Sequence, residues 1–303
     1  MERDTEAAGA TAAYLQHLSD QDLALLASAA GWPEPAGDHR RALGARPGRL
    51  AELLARPQLF EEVFVRRPPG GPLVSVSPFL AFAVAVERAA VDLEGRTHVS
   101  EWLGPRMRAP VFGVAELQEF LSSRWRRFFL AELLASYTRV ASGPVFVPTR
   151  RGWRRQRFSE LDPVRMAGLL EVTSEAEHPG IYRRLGDLAL FLTGVFPDST
   201  ARRGFGPIEE ARLRRAAGDG GEQLPGPTAE AMPPMGQGPV MLLEELGRRW
   251  YRRAWRLIPA PQPATAAVLG EMPERFGQAR RVLNFVTEQY LFGQRQEWFG
   301  TAG

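Results

Sequence analysis

The densest chemistry in this sequence is guanidinium. Between residues 124 and 158 stand nine arginines, Arg124, Arg126, Arg127, Arg139, Arg150, Arg151, Arg154, Arg155 and Arg157, against a single acid, Glu132. The surplus is local, because the whole chain of 303 residues carries a formal charge of only +3. Trp125, Trp153 and Phe158 are interleaved with the arginines. Planar guanidinium forks match carboxylate and phosphate, and aromatic rings stack on bases. The segment therefore predicts an anion- or partner-binding surface made of Arg124, Arg126, Arg127, Arg150, Arg151, Trp153, Arg154, Arg155 and Arg157. The same composition also fits Arg stems covering apolar surface, or Arg paired with acids of neighbouring helices. A second cluster, Arg248-Arg249-Trp250-Tyr251-Arg252-Arg253, has the same character. No helix-turn-helix, RRM, KH or zinc-finger pattern accompanies either cluster, so nucleic acid is the alternative partner and not the first.

Asp187 is the second candidate. It stands inside Leu185-Gly186-Asp187-Leu188-Ala189-Leu190-Phe191-Leu192, an otherwise apolar helical run. A carboxylate buried there needs a partner, and an ionisable group in apolar surroundings is a pocket candidate. Asp187 and Glu132 are expected beside a closed pocket between two apolar helices, lined by Phe79, Phe82, Phe129 and Phe191. The alternative is structural, with Asp187 anchoring an Arg or capping a helix end.

Glu175 and His178 have the Glu-x-x-His spacing of carboxylate-bridged di-iron bundles, but those bundles need the motif twice, and His17, His39 and His98 do not repeat it. No metal is expected, and no cofactor. The sequence holds no Cys and, among its 38 basic residues, no Lys. Thiolate nucleophiles, Cys-ligated metals, Lys Schiff bases and the phosphate-binding GxxxxGK[ST] loop are therefore excluded. GxSxG and GxGxxG contexts are missing as well. The longest apolar run, Pro78 to Val86, is far short of the roughly 20 residues of a membrane span. Met1-Glu2-Arg3-Asp4 opens no secretory signal, so a cytoplasmic protein is the expectation.

The elements that must position these groups are nearly all helical. Ser19-Asp20-Gln21-Asp22 reads as a capping box. Pro47 and Pro57 suit first helical positions. Ser77-Pro78 opens the most apolar helix, expected to reach Leu93 and stop at Gly95. Helices are also expected over Val114 to Leu121 and Arg124 to Ala141, the latter with a buried stripe of Phe128, Phe129, Leu133, Leu134 and Tyr137. Residues 145–158 read as a small β-hairpin around Arg150-Arg151-Gly152. Asp162-Pro163 restarts helix. Tyr182, Leu185, Leu188, Ala189, Leu192 and Val195 mark a second apolar helix, on which Gly186 and Gly194 would let another backbone come close. Val240 to Leu257 and Ala266 to Phe292 complete the set, the last with a break expected at Met272-Pro273.

The stretch from Arg183 to Asp198, with Phe128 to Tyr137, resembles segments of mostly helical bacterial proteins from GC-rich genomes to which no activity is attached. The resemblance covers the middle third to half of the chain and carries no catalytic residue over.

The expectation is thus an all-α fold of about ten helices with at most one hairpin. It divides into an N-terminal helical segment (1–66), a central core (67–217), a Gly/Pro-rich linker (218–239) and C-terminal helices packing back on the core (240–303), or forming a helical hairpin domain of their own. The expected role is non-catalytic binding of an acidic protein or anionic ligand through the Arg/aromatic surface. The alternatives are nucleic-acid binding, and an enzyme or small-ligand binder with its pocket around Asp187.

Overall fold

The computed structural model describes residues 2–32, 39–65, 76–140, 142–149, 152–218, 237–258, 263–291, 293 and 295–299. The chain opens with five helices, α1 (Glu2–His17), α2 (Asp20–Ala30), α3 (His39–Gly44), α4 (Pro47–Leu54) and α5 (Pro57–Phe60), the last running into a π-helical turn at Glu61–Val65. The Ser19 side chain accepts from Asp22 N while the Asp22 carboxylate accepts from Ser19 N, so the expected capping box starts α2. Gly31 ends α2 at φ 69°, a left-handed conformation that glycine adopts without a steric penalty.

Helix α6 (Pro78–Glu94) begins under the Ser77 cap and is apolar on nearly every side, with the whole run from Phe79 to Val86 buried. Each such fully buried Leu, Val or Phe contributes roughly 1.5–3 kcal/mol. Beyond α7 (Val114–Ser122), α8 (Arg124–Ser136) lies along α6, with Phe128 edge-on to Phe79 at 5.6 Å. Helix α8 stops five residues earlier than its sequence suggests. The Ser136 and Thr138 hydroxyls turn back onto Leu133 O and Ala135 O, and Tyr137 leaves the helical path to stack on Phe191 at 4.2 Å.

A short helix α9 (Pro163–Ala167), capped by Asp162, leads through a 3-10 turn to α10 (His178–Val195), followed by α11 (Pro197–Arg203) and α12 (Pro207–Ala217). Helix α13 (Gly238–Leu257) lies across α10, with the Tyr251 ring over Gly186 and Gly247 against Ala189. Helix α14 (Pro263–Val286) packs on both, with Phe276 against Gly247 and Leu283 against Gly194. It runs through Pro273 where a break is expected. Proline removes one helical hydrogen bond, but buried Leu269, Met272 and Phe276 hold the two halves in line. After a π-helical turn at Thr287–Leu291, α15 (Arg295–Phe299) sets Phe299 against both Phe82 and Phe191, tying α6 to α10. The central core and the C-terminal helices therefore share one hydrophobic core. Most of the proposed linker, residues 219–236, lies outside the described residues.

The fold is all-α, with two antiparallel hairpins among the described residues where at most one is expected. The expected one is β3 (Ser142–Thr149) with β4 (Gly152–Ser159). The other is β1 (Val99–Gly104) with β2 (Met107–Val111), its turn carrying Arg106 at φ 60°. Asp198 at the start of α11 holds that turn, accepting from Trp102 Nε1 at 2.9 Å and Arg106 N at 3.1 Å. Burial disfavours the Asp198 carboxylate, but these donors and Arg108 outweigh it and keep its pKa below the ordinary value. No helix among the described residues is long and apolar enough to cross a membrane.

Candidate functional site

The arginine segment does not form one open positive face. Arg126, with its side chain 12% exposed, is an ion partner of Glu119 at 3.3 Å and of Glu271 at 3.1 Å, and it donates to Glu119 O and Phe120 O. Arg127, 13% exposed, meets the buried Glu87 carboxylate at 3.0 Å. These two correct the sequence expectation: acids from α6, α7 and α14 neutralise them, and their stems are buried in the process. Arg124 borders a narrow crevice shared with Glu87 and Tyr14. Arg155 is exposed on β4, and Arg139 is exposed after α8. Arg150 and Arg151 lie outside the described residues, as do the side chains of Trp153, Arg154 and Arg157, whose backbones belong to β4.

The second cluster is likewise paired, with Arg248 on Glu244 and Arg249 on Glu245, each at 2.7 Å and one helical turn apart. His178 is the first residue of α10 and Glu175 sits in the turn before it. Among the described residues, no three His, Asp or Glu side chains come together to hold a metal.

Glu132 and Asp187 do meet, on the walls of a cleft of about 250 Å³ between α8 and α10. Helix α8 supplies Phe129, Glu132, Leu133 and Ser136; α10 supplies Gly180, Arg183, Arg184 and Asp187. Each set follows the spacing i, i+3, i+4, i+7, so each wall is one helix face. Of the four phenylalanines expected around the pocket only Phe129 lines it. Phe79, Phe82 and Phe191 are consumed by ring packing in the core.

The charged groups of the cleft hold one another. Arg183 donates from Nη2 to Glu132 Oε2 at 3.2 Å, and its Nε stands 3.8 Å from Asp187 Oδ2. Tyr251 reaches in from α13 and donates its hydroxyl to Asp187 Oδ1 at 2.8 Å. Arg184 places Cζ over the Tyr137 ring at 3.9 Å, donates to Ser136 Oγ at 2.8 Å and faces Glu160 at 3.5 Å. Desolvation pushes the Asp187 pKa up, with the Arg183 charge opposing it; Asp187 itself is only 7% exposed. The Tyr251 hydroxyl is raised well above its usual value, by burial and then by the Asp187 charge.

Behind Glu132, His17 on α1 places Nε2 3.7 Å from Oε1 while its Nδ1 meets Ala13 O at 3.0 Å. The Glu132 carboxylate raises the His17 pKa against the desolvation that opposes it. Burial disfavours the charge on Glu132, but His17 and Arg183 overcome it and lower its pKa. The sign follows from linkage. A raised His contributes stability that is complete below its unfolded value of 6.5 and lost as pH rises through the folded pKa. A lowered Glu contributes stability that is complete above 4.5 and lost as pH falls through the folded pKa. The difference in thermal midpoint between wild type and His17→Gln, scanned from about pH 3 to 9, is therefore expected to be greatest between 4.5 and 6.5. A difference independent of pH would remove this ion pair as its source.

No protein-family profile, curated protein or solved structure matches this chain.

Glu132 and Asp187 stand out in the sequence as candidates, whereas their companions Arg183, Arg184, Ser136, Gly180 and Tyr251 do not. The signal for the α10 wall was present, since Arg183 stands four residues before Asp187. Tyr251 and His17 come from elements far away in sequence and carried no local signal. Ser136 is the hydroxyl on the wall. It donates to Leu133 O and accepts from Arg184. The arrangement can recognise charge and shape.

Proposed function

We propose that this protein is a non-catalytic helical binding protein that takes a small polar ligand in the cleft between α8 and α10. The observation that supports this reading is the convergence of two guanidinium and two carboxylate groups, with Phe129 and Leu133 beside them, on a cleft of about 250 Å³. Concave, partly apolar sites with a few fixed polar groups are where small ligands bind.

Gly180 offers a clean test, because a β-carbon there meets no atom within 4 Å. Gly180→Trp is expected to fill the mouth of the cleft and leave the fold intact. Native mass spectrometry of the full chain purified from its own host should show a retained small molecule on wild type. The variant should lack it at unchanged thermal midpoint. An unliganded wild type, or a variant that keeps the same molecule, would overturn the assignment.

A second reading keeps the basic hairpin as a docking element for an acidic protein or a nucleic acid. It is favoured by Arg155 being exposed on a ribbon of only two strands, each with an unpaired edge among the described residues. Gly180→Trp leaves that surface untouched, so partner capture that survives the substitution would speak for the hairpin.

A further inference from the structure

We infer that the ligand of the α8–α10 cleft is a zwitterion of the α-amino-acid type, with its carboxylate on Arg183 and Arg184, its ammonium on Asp187 and an apolar side chain against Phe129 and Leu133. The inference rests on the ligand-binding reading above and narrows it to a chemical class.

The first ground is the hydrogen bonding of Asp187. Its Oδ1 takes the Tyr251 hydroxyl, whereas Oδ2 has no donor within hydrogen-bonding distance among the described residues. Arg183 Nε, at 3.8 Å, is too far to supply one. Asp187 is only 7% exposed and lines the cleft, and Oδ2 keeps contact with the cleft space, where a donor from a ligand can reach it. An ammonium group brings three N–H donors and the opposite charge.

The second ground is the donor count on α10. Arg183 spends Nη2 on Glu132, and Arg184 spends Nη1 on Ser136. Each guanidinium has five N–H donors. The Nη1 group of Arg183 and Nε of Arg184 meet no acceptor among the described residues, which leaves N–H groups for a carboxylate. Guanidinium is the group best matched to that acceptor.

The third ground is balance. The charged residues lining the cleft, Glu132, Asp187, Arg183 and Arg184, sum to zero when ionised. A ligand of one sign would leave an uncompensated charge in a half-buried site, whereas a zwitterion leaves none. Arg183 and Asp187 are one turn apart on the same face, about 5–6 Å between β-carbons. That spacing suits a ligand whose two charged groups are carried on one carbon of a small backbone.

The test uses the intact protein and varies the probe. Isothermal titration with L-leucine, L-phenylalanine, N-acetyl-L-leucine, L-leucinamide and inorganic phosphate separates the contributions. Leucine or phenylalanine should bind, and the N-acetyl and amide forms should bind roughly tenfold or more weakly, since each strands one buried charged group. Asp187→Asn should weaken leucine by a similar factor and leave N-acetyl-leucine unchanged. Because the ligand series is run on wild type, the result stands even if that variant fails to fold. If N-acetyl-leucine, leucinamide or phosphate binds as tightly as leucine, the zwitterion assignment falls and the binding cleft stands. The same holds if none of the five binds while native mass spectrometry finds a ligand of other chemistry that Gly180→Trp abolishes. No ligand by either route overturns both.

Discussion

Arg127→Met is expected to lower the unfolding free energy by about 3–5 kcal/mol, the cost of stranding a buried carboxylate. Glu87 on α6 is 5% exposed and accepts from Arg127 Nε at 3.0 Å and the Tyr14 hydroxyl at 3.3 Å, with the Arg124 charge nearby. Burial already raises the Glu87 pKa against the pull of Arg127. Without Arg127 its downward pull is lost and that rise is larger. A raised carboxyl costs stability as pH climbs from its unfolded value of 4.5 through its folded pKa. The gap between wild type and Arg127→Met should therefore narrow as pH is lowered toward 4.5. Urea midpoints of Arg127→Met, Glu87→Leu and the double variant close the cycle. The double variant should regain most of the loss, because two apolar side chains leave no charge behind. A double variant as unstable as Arg127→Met would trace the loss to packing of the arginine stem.

Gly247→Leu is expected to cost about 3 kcal/mol, the upper end of overpacking. A β-carbon at Gly247 would fall 2.5 Å from the Phe276 ring and 2.9 Å from Ala189 Cβ, so both α10 and α14 would have to move. Leucine's higher helix propensity returns less than about 1 kcal/mol of this. Gly180→Ala is the matched comparison, since its β-carbon enters open space. It should be neutral or gain up to about 1 kcal/mol. Chemical denaturation of both reads the contrast, and equal effects would show that the close approach carries no energetic weight.

Much of the helical architecture is written in local pattern. The Ser19 box, the Ser77-Pro78 start and the apolar run of α10 each act within one turn or one face, so residue order suffices to find them. Gly186 and Gly194 were legible as close-approach positions, though the partners, Tyr251 and Leu283, were not. The β1–β2 hairpin is not legible in the sequence because its turn depends on Asp198, far along the chain, and because its second strand contains Pro110, a residue that argues against a strand. Arg126 and Arg127 are paired where a binding surface is expected, for a related reason. Charge density is visible in a window of residues, whereas the neutralising Glu87, Glu119 and Glu271 come from three other helices. At the cleft, composition pointed to Glu132 and Asp187, and only three-dimensional packing could bring His17 and Tyr251 to them.

Three of the glycines on α10 and α13 also limit how the protein can move. With Tyr251, Leu283 and Phe276 seated against Gly186, Gly194 and Gly247, α10 has a single register along its neighbours. Sliding by one turn would drive full side chains into gaps sized for hydrogen. The side of the cleft that carries Arg183 and Asp187 is thus a fixed floor, facing α8, which His17 fastens to α1 through Glu132.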